Sequence, residues 1–204
     1  MRAYKRFDKR GFTLVELMIV VAIIGVLAAL AIYGVRRYLA TAKTSEAKDI
    51  IGAIARSGQA SYERETSASQ IVNEGTASAQ SNHALCLSAT DVPTAMSSVQ
   101  GKKYQPDSTG PATDFNMGDS LTGWQCLKFT VNSPIYYQYG YRKGVGKITS
   151  NLANSTATGF EASAQGDLNG DGTVFSEFAR TGEVNATSGT IRLATQVYVN
   201  REFD

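Results

Sequence analysis

The sequence predicts an α+β protein in which a long N-terminal helical spine packs on an antiparallel β-sheet head. Three observations predict it. Residues 12–35 are apolar apart from Thr13, Glu16, Gly25 and Gly34, and no charge occurs from Leu17 to Val35. Residues 36–66 carry apolar positions at helical spacing. Residues 124–204 hold short runs rich in β-branched and aromatic residues, separated by Gly-, Asn- and Asp-bearing turns. The chain of 204 residues fits one ordinary domain with an appendage.

The first part of the spine reads as a membrane-crossing segment. At about 1.5 Å per residue it makes a helix of roughly 36 Å, enough for about 30 Å of hydrocarbon. Arg2, Lys5, Arg6, Lys9 and Arg10 stand before it against Asp8 alone. A short adjacent cationic segment stays in the cytoplasm, so everything beyond Val35 is expected outside. In the second part, Ala47, Ile50, Ile51, Ile54, Gly58 and Tyr62 follow i, i+3, i+4, i+7 spacing, while Glu46, Lys48, Asp49, Arg56 and Glu63 fall mostly elsewhere on the wheel. No proline lies between Phe12 and Thr66, so both parts are expected to form one helix of about 54 residues.

The apolar stripe needs a partner, and the head supplies it. Residues 67–123 are rich in Ser, Thr, Ala, Asn and Gly and read as a connecting region, with a short helix or strand near 84–87. Strand-like runs follow at 124–131, 135–142, 159–165, 173–180 and 190–200. Thr190, Arg192, Ala194 and Gln196 alternate with Ile191, Leu193, Thr195 and Val197, the pattern of a sheet with one covered face.

Composition narrows the function. The net charge of +2 comes from 20 Lys and Arg against 18 Asp and Glu, far from a polybasic nucleic-acid binder. Two cysteines exclude a zinc-finger array, and a single histidine, His83, argues against a histidine-based catalytic or metal centre. No enzyme activity is expected. Tyr136, Tyr137, Tyr139 and Tyr141 admit stacking on single-stranded nucleic acid, contact with a surface partner or electron hopping, against a strand whose rings simply pack.

The most specific string is the junction Lys9-Arg10-Gly11-Phe12-Thr13-Leu14-Val15-Glu16, which leads directly into the apolar run. A carboxylate at the centre of a membrane helix costs about 2.5–3.5 kcal/mol, less near the interface, so Glu16 needs a partner or a function. A secretory signal peptide accounts for the basic and apolar regions but not for this glutamate or for the length of the run.

Here the chain resembles the type IV prepilin family, in which a basic leader ends in glycine, followed by phenylalanine and then a glutamate four residues on. Gly11, Phe12 and Glu16 match those positions. The resemblance implies cleavage between Gly11 and Phe12 by a membrane-embedded prepilin peptidase, which then methylates the new Phe12 amine. It further implies that Glu16 pairs with the terminal amine of a neighbouring subunit and that the spines bundle into a helical homopolymer. The implied partners are therefore the chain itself, the peptidase, the membrane before assembly, and an inner-membrane platform with its ATPase. The product is an extracellular filament serving adhesion, twitching motility or DNA uptake. A type II secretion pseudopilin, or a minor pilin that binds DNA or a surface, shares this N-terminus. Family members commonly carry a proline about twenty residues past the cleavage site, and here Tyr33 stands there, next to Gly34.

The expected divisions are therefore a leader at 1–11, an assembly helix at 12–35, an amphipathic helix at 36–66, a connecting region at 67–123 and a sheet head at 124–204. Without its leader the chain has 15 Lys and Arg against 17 Asp and Glu, so its basicity belongs to the targeting signal and not to a nucleic-acid site.

Two further sites are expected in the head. Cys86 and Cys126 would lie in a compartment that permits disulfides, and a bridge would close a loop worth nearly 4 kcal/mol in the loop-entropy model; the alternative is two buried thiols. Asp167, Asn169, Asp171 and Thr173 place oxygen donors at alternate positions around Gly170 and Gly172, like the first half of a calcium loop. The twelfth position of such a loop is Phe178 instead of glutamate, and a plain hairpin turn explains the same residues. No cofactor is required, and calcium is the one candidate ligand. Asn154-Ser155-Thr156 and Asn185-Ala186-Thr187 match a glycosylation sequon too common to weigh.

Overall fold

A computed structural model of the chain describes residues 11–64, 83–148, 158–173, 175–185 and 187–203. The chain divides into two compact units, 1–41 and 42–204. Helix α1 (Leu14–Glu63) contributes to both, and it is unbroken through Gly25 and Gly34. The predicted end near Thr66 lies outside the described residues.

In the first unit no side chain of α1 is buried except for half-burial at Ala40. Large apolar groups stand in the open, with Met18 at 63% and Leu30 at 65% exposure. An all-round apolar helix with nothing packed on it is stable only in lipid or against other helices. In the second unit the same helix becomes one-sided. Thr44, Ala47, Ile51, Ile54, Ala55, Gly58, Ser61 and Tyr62 are buried, the stripe the spacing predicts, with Ile50 half-buried at its margin.

The stripe covers an antiparallel sheet. Strands β1 (Gln138–Lys143), β2 (Gly159–Gly166) and β3 (Ser176–Val184) pair in sequence order, and β4 (Ile191–Leu193) and β5 (Tyr198–Asn200) both pair with β3. Tyr139 and Tyr141 lie on one face of β1 with Tyr137 just before it, all three fully buried in the core that also holds Ile51, Ile54, Phe160 and Phe178. Burying each such isoleucine stabilises the fold by about 1.5–3 kcal/mol. The Phe160 ring lies between the bare α-carbons of Gly58 on α1 and Gly182 on β3, so two glycines let helix and sheet close on one aromatic ring. Buried rings present no face to nucleic acid, so β1 is not a stacking platform. Tyr136 is half-buried, with the ammonium groups of Lys43 and Lys103 at 4.6 and 4.8 Å from its ring centre.

Two strand expectations are corrected. Residues 124–131 do not form a strand. Gly123–Leu127 is a single helical turn, α2, ended by Lys128 in the left-handed region (φ 54°). Five residues are too few for a period of 2 to be told from one turn of 3.6, and tertiary contacts decided it. The Trp124 indole donates to the Thr90 carbonyl at 2.8 Å and packs edge-on against Phe115. The run 190–200 is two short strands instead of one. Ala194 gives its N–H to Thr181 and its carbonyl to the Arg180 guanidinium (3.1 Å), and the chain leaves the ladder until Tyr198.

The connecting region is ordered from His83 to Thr122 without regular elements apart from two 3-10 turns, Met96–Ser98 and Asp114–Asn116. Near 84–87, only Leu87 makes a ladder contact, a bridge to Thr122. Val92 bridges Tyr139 and closes the outer edge of β1, a standard protection against edge pairing. Asp91 accepts from Arg142 (2.9 Å) and Lys147 (3.0 Å), tying the same segment to the end of β1.

Candidate site at the helix N-terminus

Gly11, Phe12 and Thr13 precede the helix in non-helical conformation and are exposed, Phe12 at 89%. The Gly11–Phe12 peptide therefore lies outside the hydrogen-bonded helix, where a protease reaches it without unwinding a turn. The helix begins with a reciprocal pair. Thr13 Oγ1 accepts the Glu16 N–H at 3.2 Å, while Glu16 Oε2 accepts the Thr13 N–H at 2.9 Å and the Thr13 hydroxyl at 2.8 Å. This is a capping box, in which N-cap threonine and N3 glutamate satisfy two donors that a helix start would leave unpaired. The carboxylate also sits at the positive end of the helix dipole. A partner for Glu16 thus exists within the chain.

The sequence signal for Thr13 is Thr-x-x-Glu directly before an apolar run, a capping-box pattern that the membrane reading of Glu16 does not use. Replacing Thr13 by Val is expected to lower helix stability locally by about 1 kcal/mol, while Ser keeps the box. Amide hydrogen exchange at residues 14–17 measures it; equal protection in the Val and Ser variants would refute the cap.

In the head, Cys86 and Cys126 form a disulfide with α-carbons 5.8 Å apart, joining the connecting region to α2. His83 lies against the Tyr62 ring, with Nδ1 3.0 Å from the Tyr62 carbonyl near the end of α1. Glu46, half-buried, accepts the Tyr136 N–H (3.1 Å) and the Tyr139 hydroxyl (3.3 Å), and burial raises its carboxyl above the usual range. Burial also raises the Tyr139 phenol well above its ordinary value.

The acidic turn is knitted by its own backbone. Asp167, fully buried, accepts the Gly170 N–H on Oδ1 (2.6 Å) and the Gly172 N–H on Oδ2 (2.8 Å). Asn169 Oδ1 accepts the Asp171 N–H at 2.9 Å, and Asp171 Oδ1 accepts both Thr173 donors at 2.8 and 2.9 Å. Gly170 and Gly172 adopt positive φ (77° and 74°), the conformation such a turn requires. Glu177, the nearest further carboxylate in sequence, is held by Gln165 and Asn200. The turn satisfies these donors and acceptors internally. Calcium titration of the detergent-solubilised chain is expected to give no binding heat and an unchanged melting temperature. A saturable exotherm abolished by Asp171→Ala would overturn this.

The sequon at Asn185 is likewise a turn, its side chain accepting the Thr187 N–H at 2.9 Å, whereas Asn154 lies outside the described residues.

Residues 6–32 match the family described as the prokaryotic N-terminal methylation motif. Among curated proteins, the chain is 46% identical over 65 residues to the type IV major pilin protein PilA of Myxococcus xanthus, covering 32% of this chain and 30% of that one. It is 52% identical over 44 residues to the fimbrial protein EcpC of Eikenella corrodens, 22% of this chain and 29% of that one. It is 56% identical over 39 residues to the type IV major pilin protein PilE1 of Neisseria gonorrhoeae, 19% of this chain and 24% of that one. The chain thus spans under a third of the length of these relatives. No solved structure matches it. The amino-terminal segment carries the methylation motif across the capping box and the exposed helix, and it is this segment that is similar to type IV major pilins.

Proposed function

We propose that this protein is the structural subunit of a type IV pilus. The observation that carries the reading is the conjunction at one helix end of the methylation motif, an accessible Gly11–Phe12 peptide outside the helix, and a helical segment whose large apolar side chains are exposed. A prepilin peptidase cuts after Gly11, whose lack of a side chain leaves the backbone unhindered, and methylates the Phe12 amine. Before assembly the apolar segment lies in the inner membrane with the leader on the cytoplasmic side. An assembly platform and its ATPase then move it into a polymer, where neighbouring spines replace lipid. The chain performs no catalysis; adhesion, twitching motility or DNA uptake belongs to the filament.

Within the polymer Glu16 receives the ammonium of a neighbouring Phe12. The two Thr13 bonds both fall on Oε2, so the cap and the intermolecular pair draw on different oxygens of one carboxylate. Away from water such a pair is strongly attractive, and either member alone is costly, which selects one axial stagger.

Intact-mass measurement of subunits from sheared filaments tests the reading. The expected species is a chain that begins at Phe12 and carries one methyl group, as the predominant protein of long surface filaments. An uncut chain, or one confined to short periplasmic structures, would refute it; the latter is the pseudopilin outcome.

A further inference from the structure

Beyond the spine, the head carries two charged features of opposite sign at different places on the sheet. The first is a guanidinium pair. Gly52 on α1 presents a bare α-carbon, and Nη1 of Arg56 and Nη1 of Arg180 lie 3.4 and 3.7 Å from the place a β-carbon would occupy. Arg180, half-buried on β3, spends Nε on the Ala194 carbonyl, while Arg56 is exposed. Neither has a carboxylate partner among the described residues. Two cations held together without a counter-charge repel each other, and the natural complement is an anion that bridges them.

The second feature is the loop beyond β1. From Tyr104 to Leu127 the chain carries Asp107, Asp114 and Asp119 and no Lys or Arg. Asp114 is buried and used internally by the Tyr104 hydroxyl (2.6 Å) and the Asp107 N–H (2.7 Å). Asp107 and Asp119 are exposed, yet each is fixed. Asp107 Oδ1 accepts the Thr109 hydroxyl (2.6 Å) and N–H (2.8 Å), and Asp119 Oδ1 accepts the Leu121 and Thr122 N–H groups (2.7 and 2.8 Å). These bonds hold both carboxyls below their usual range, so they stay ionised in mild acid. The loop is anchored on the β1 side by Trp124 to Thr90 and by the Tyr104–Ile135 bridge, whereas Arg180 lies on β3, beyond β2 and beside the gap between β4 and β5.

We infer that the Arg56–Arg180 pair of one subunit receives the Asp107/Asp119 loop of a second copy of this chain. The two patches differ, so the contact is heterologous: each copy offers one donor and one acceptor patch, and repetition builds an open assembly instead of a closed dimer. This rests on the pilin reading and names the head contact that accompanies spine bundling. The spines attract without regard to direction, whereas paired charges reject wrong alignments, so the head contact selects which neighbour sits where.

A charge-swap cycle in cells expressing the full chain tests it, reading sheared filament yield relative to the disulfide-bonded, processed subunit pool. Arg56→Glu is expected to lower the yield at least about fivefold, since it sets like charges against each other across the contact. The double variant Asp107→Lys with Asp119→Lys is expected to do the same. Combining the three changes is expected to recover most of the yield. Adding Arg180→Glu deepens the effect, and Arg56→Glu alone completes the cycle if that variant fails to fold. Yields unchanged in every variant, or losses that the combination does not recover, would overturn the inference while leaving the pilin reading intact. Absence of filaments from the unmutated chain would instead refute the pilin reading itself.

Discussion

Glu16→Ala is expected to yield a chain that is still cut after Gly11 and methylated at Phe12, but almost no filament. Cleavage needs the Gly11–Phe12 peptide, which lies outside the helix, and the sequence of the leader, and the change touches neither. Assembly loses two things. The capping box disappears, at about 1 kcal/mol, and the amine of the neighbouring Phe12 is left without its counter-charge in an apolar surrounding, at about 3–5 kcal/mol for each contact. Repeated along a polymer, the second loss dominates. Glu16→Gln separates the two, because glutamine retains the cap without the charge. If the Gln variant assembles like the unmutated chain, the ion pair is not the basis of assembly and the cap is; if the Ala variant itself makes abundant filaments, neither is.

A second large effect is expected at Gly58, where α1 comes closest to the sheet. A β-carbon there would stand 2.9 and 3.0 Å from atoms of the Phe160 ring and 3.2 Å from Tyr141. Both rings are buried and lie against each other, with centres 5.2 Å apart, so neither can swing into solvent. Replacing Gly by Leu brings a helix-propensity gain of about 1 kcal/mol, but the side chain has no space and pushes the helix from its stripe. Overpacking of this kind costs about 1–3 kcal/mol and more where backbone must move. A net loss of about 3 kcal/mol corresponds to a melting point roughly 10 °C lower for a chain of this size. Gly25→Ala is the control, since nothing lies within 4 Å of that position, and it is expected to leave the head's melting point unchanged. Thermal melts of the solubilised chain followed by near-ultraviolet circular dichroism decide the matter. Coincident melting curves for Gly58→Leu and the unmutated chain would show that helix and sheet are not in close contact there.

The features that could be read without coordinates are those that local physics determines. Nineteen uncharged residues after Glu16 dictate a helix that must be sheathed by lipid or by other helices, whatever follows. The recurrence of Ala47, Ile51, Ile54, Gly58 and Tyr62 specifies a buried stripe, because side-chain direction repeats every 3.6 residues. Strand β2 lies where the 159–165 run was expected, whereas β3 begins at Ser176 and continues to Val184, since the preceding residues are taken by the Asx-bonded turn. The methylation motif was legible for the same reason: it consists of a few consecutive residues around Gly11, Phe12 and Glu16.

Only the tertiary structure decided the rest. Whether Gly123–Leu127 became a strand or a helical turn depended on contacts beyond its own five residues, with Phe115 and with the more distant Thr90. The 190–200 run broke in two because Arg180, from another strand, took the Ala194 carbonyl. Four tyrosines in six residues left open whether the rings pack or face outward, and three are buried, as in a strand whose rings simply pack, since the helix arriving from residues 42–63 needed that face. The juxtaposition of Arg56 with Arg180 at Gly52 joins residues more than a hundred positions apart, and no periodicity encodes it. Spine, topology signal and processing junction follow from short-range sequence, because hydropathy, charge and helix capping act within a turn or two. The form of the head, and the place where its unpaired charges meet, follow from long-range packing, where each short segment adopts whatever conformation its distant neighbours leave room for.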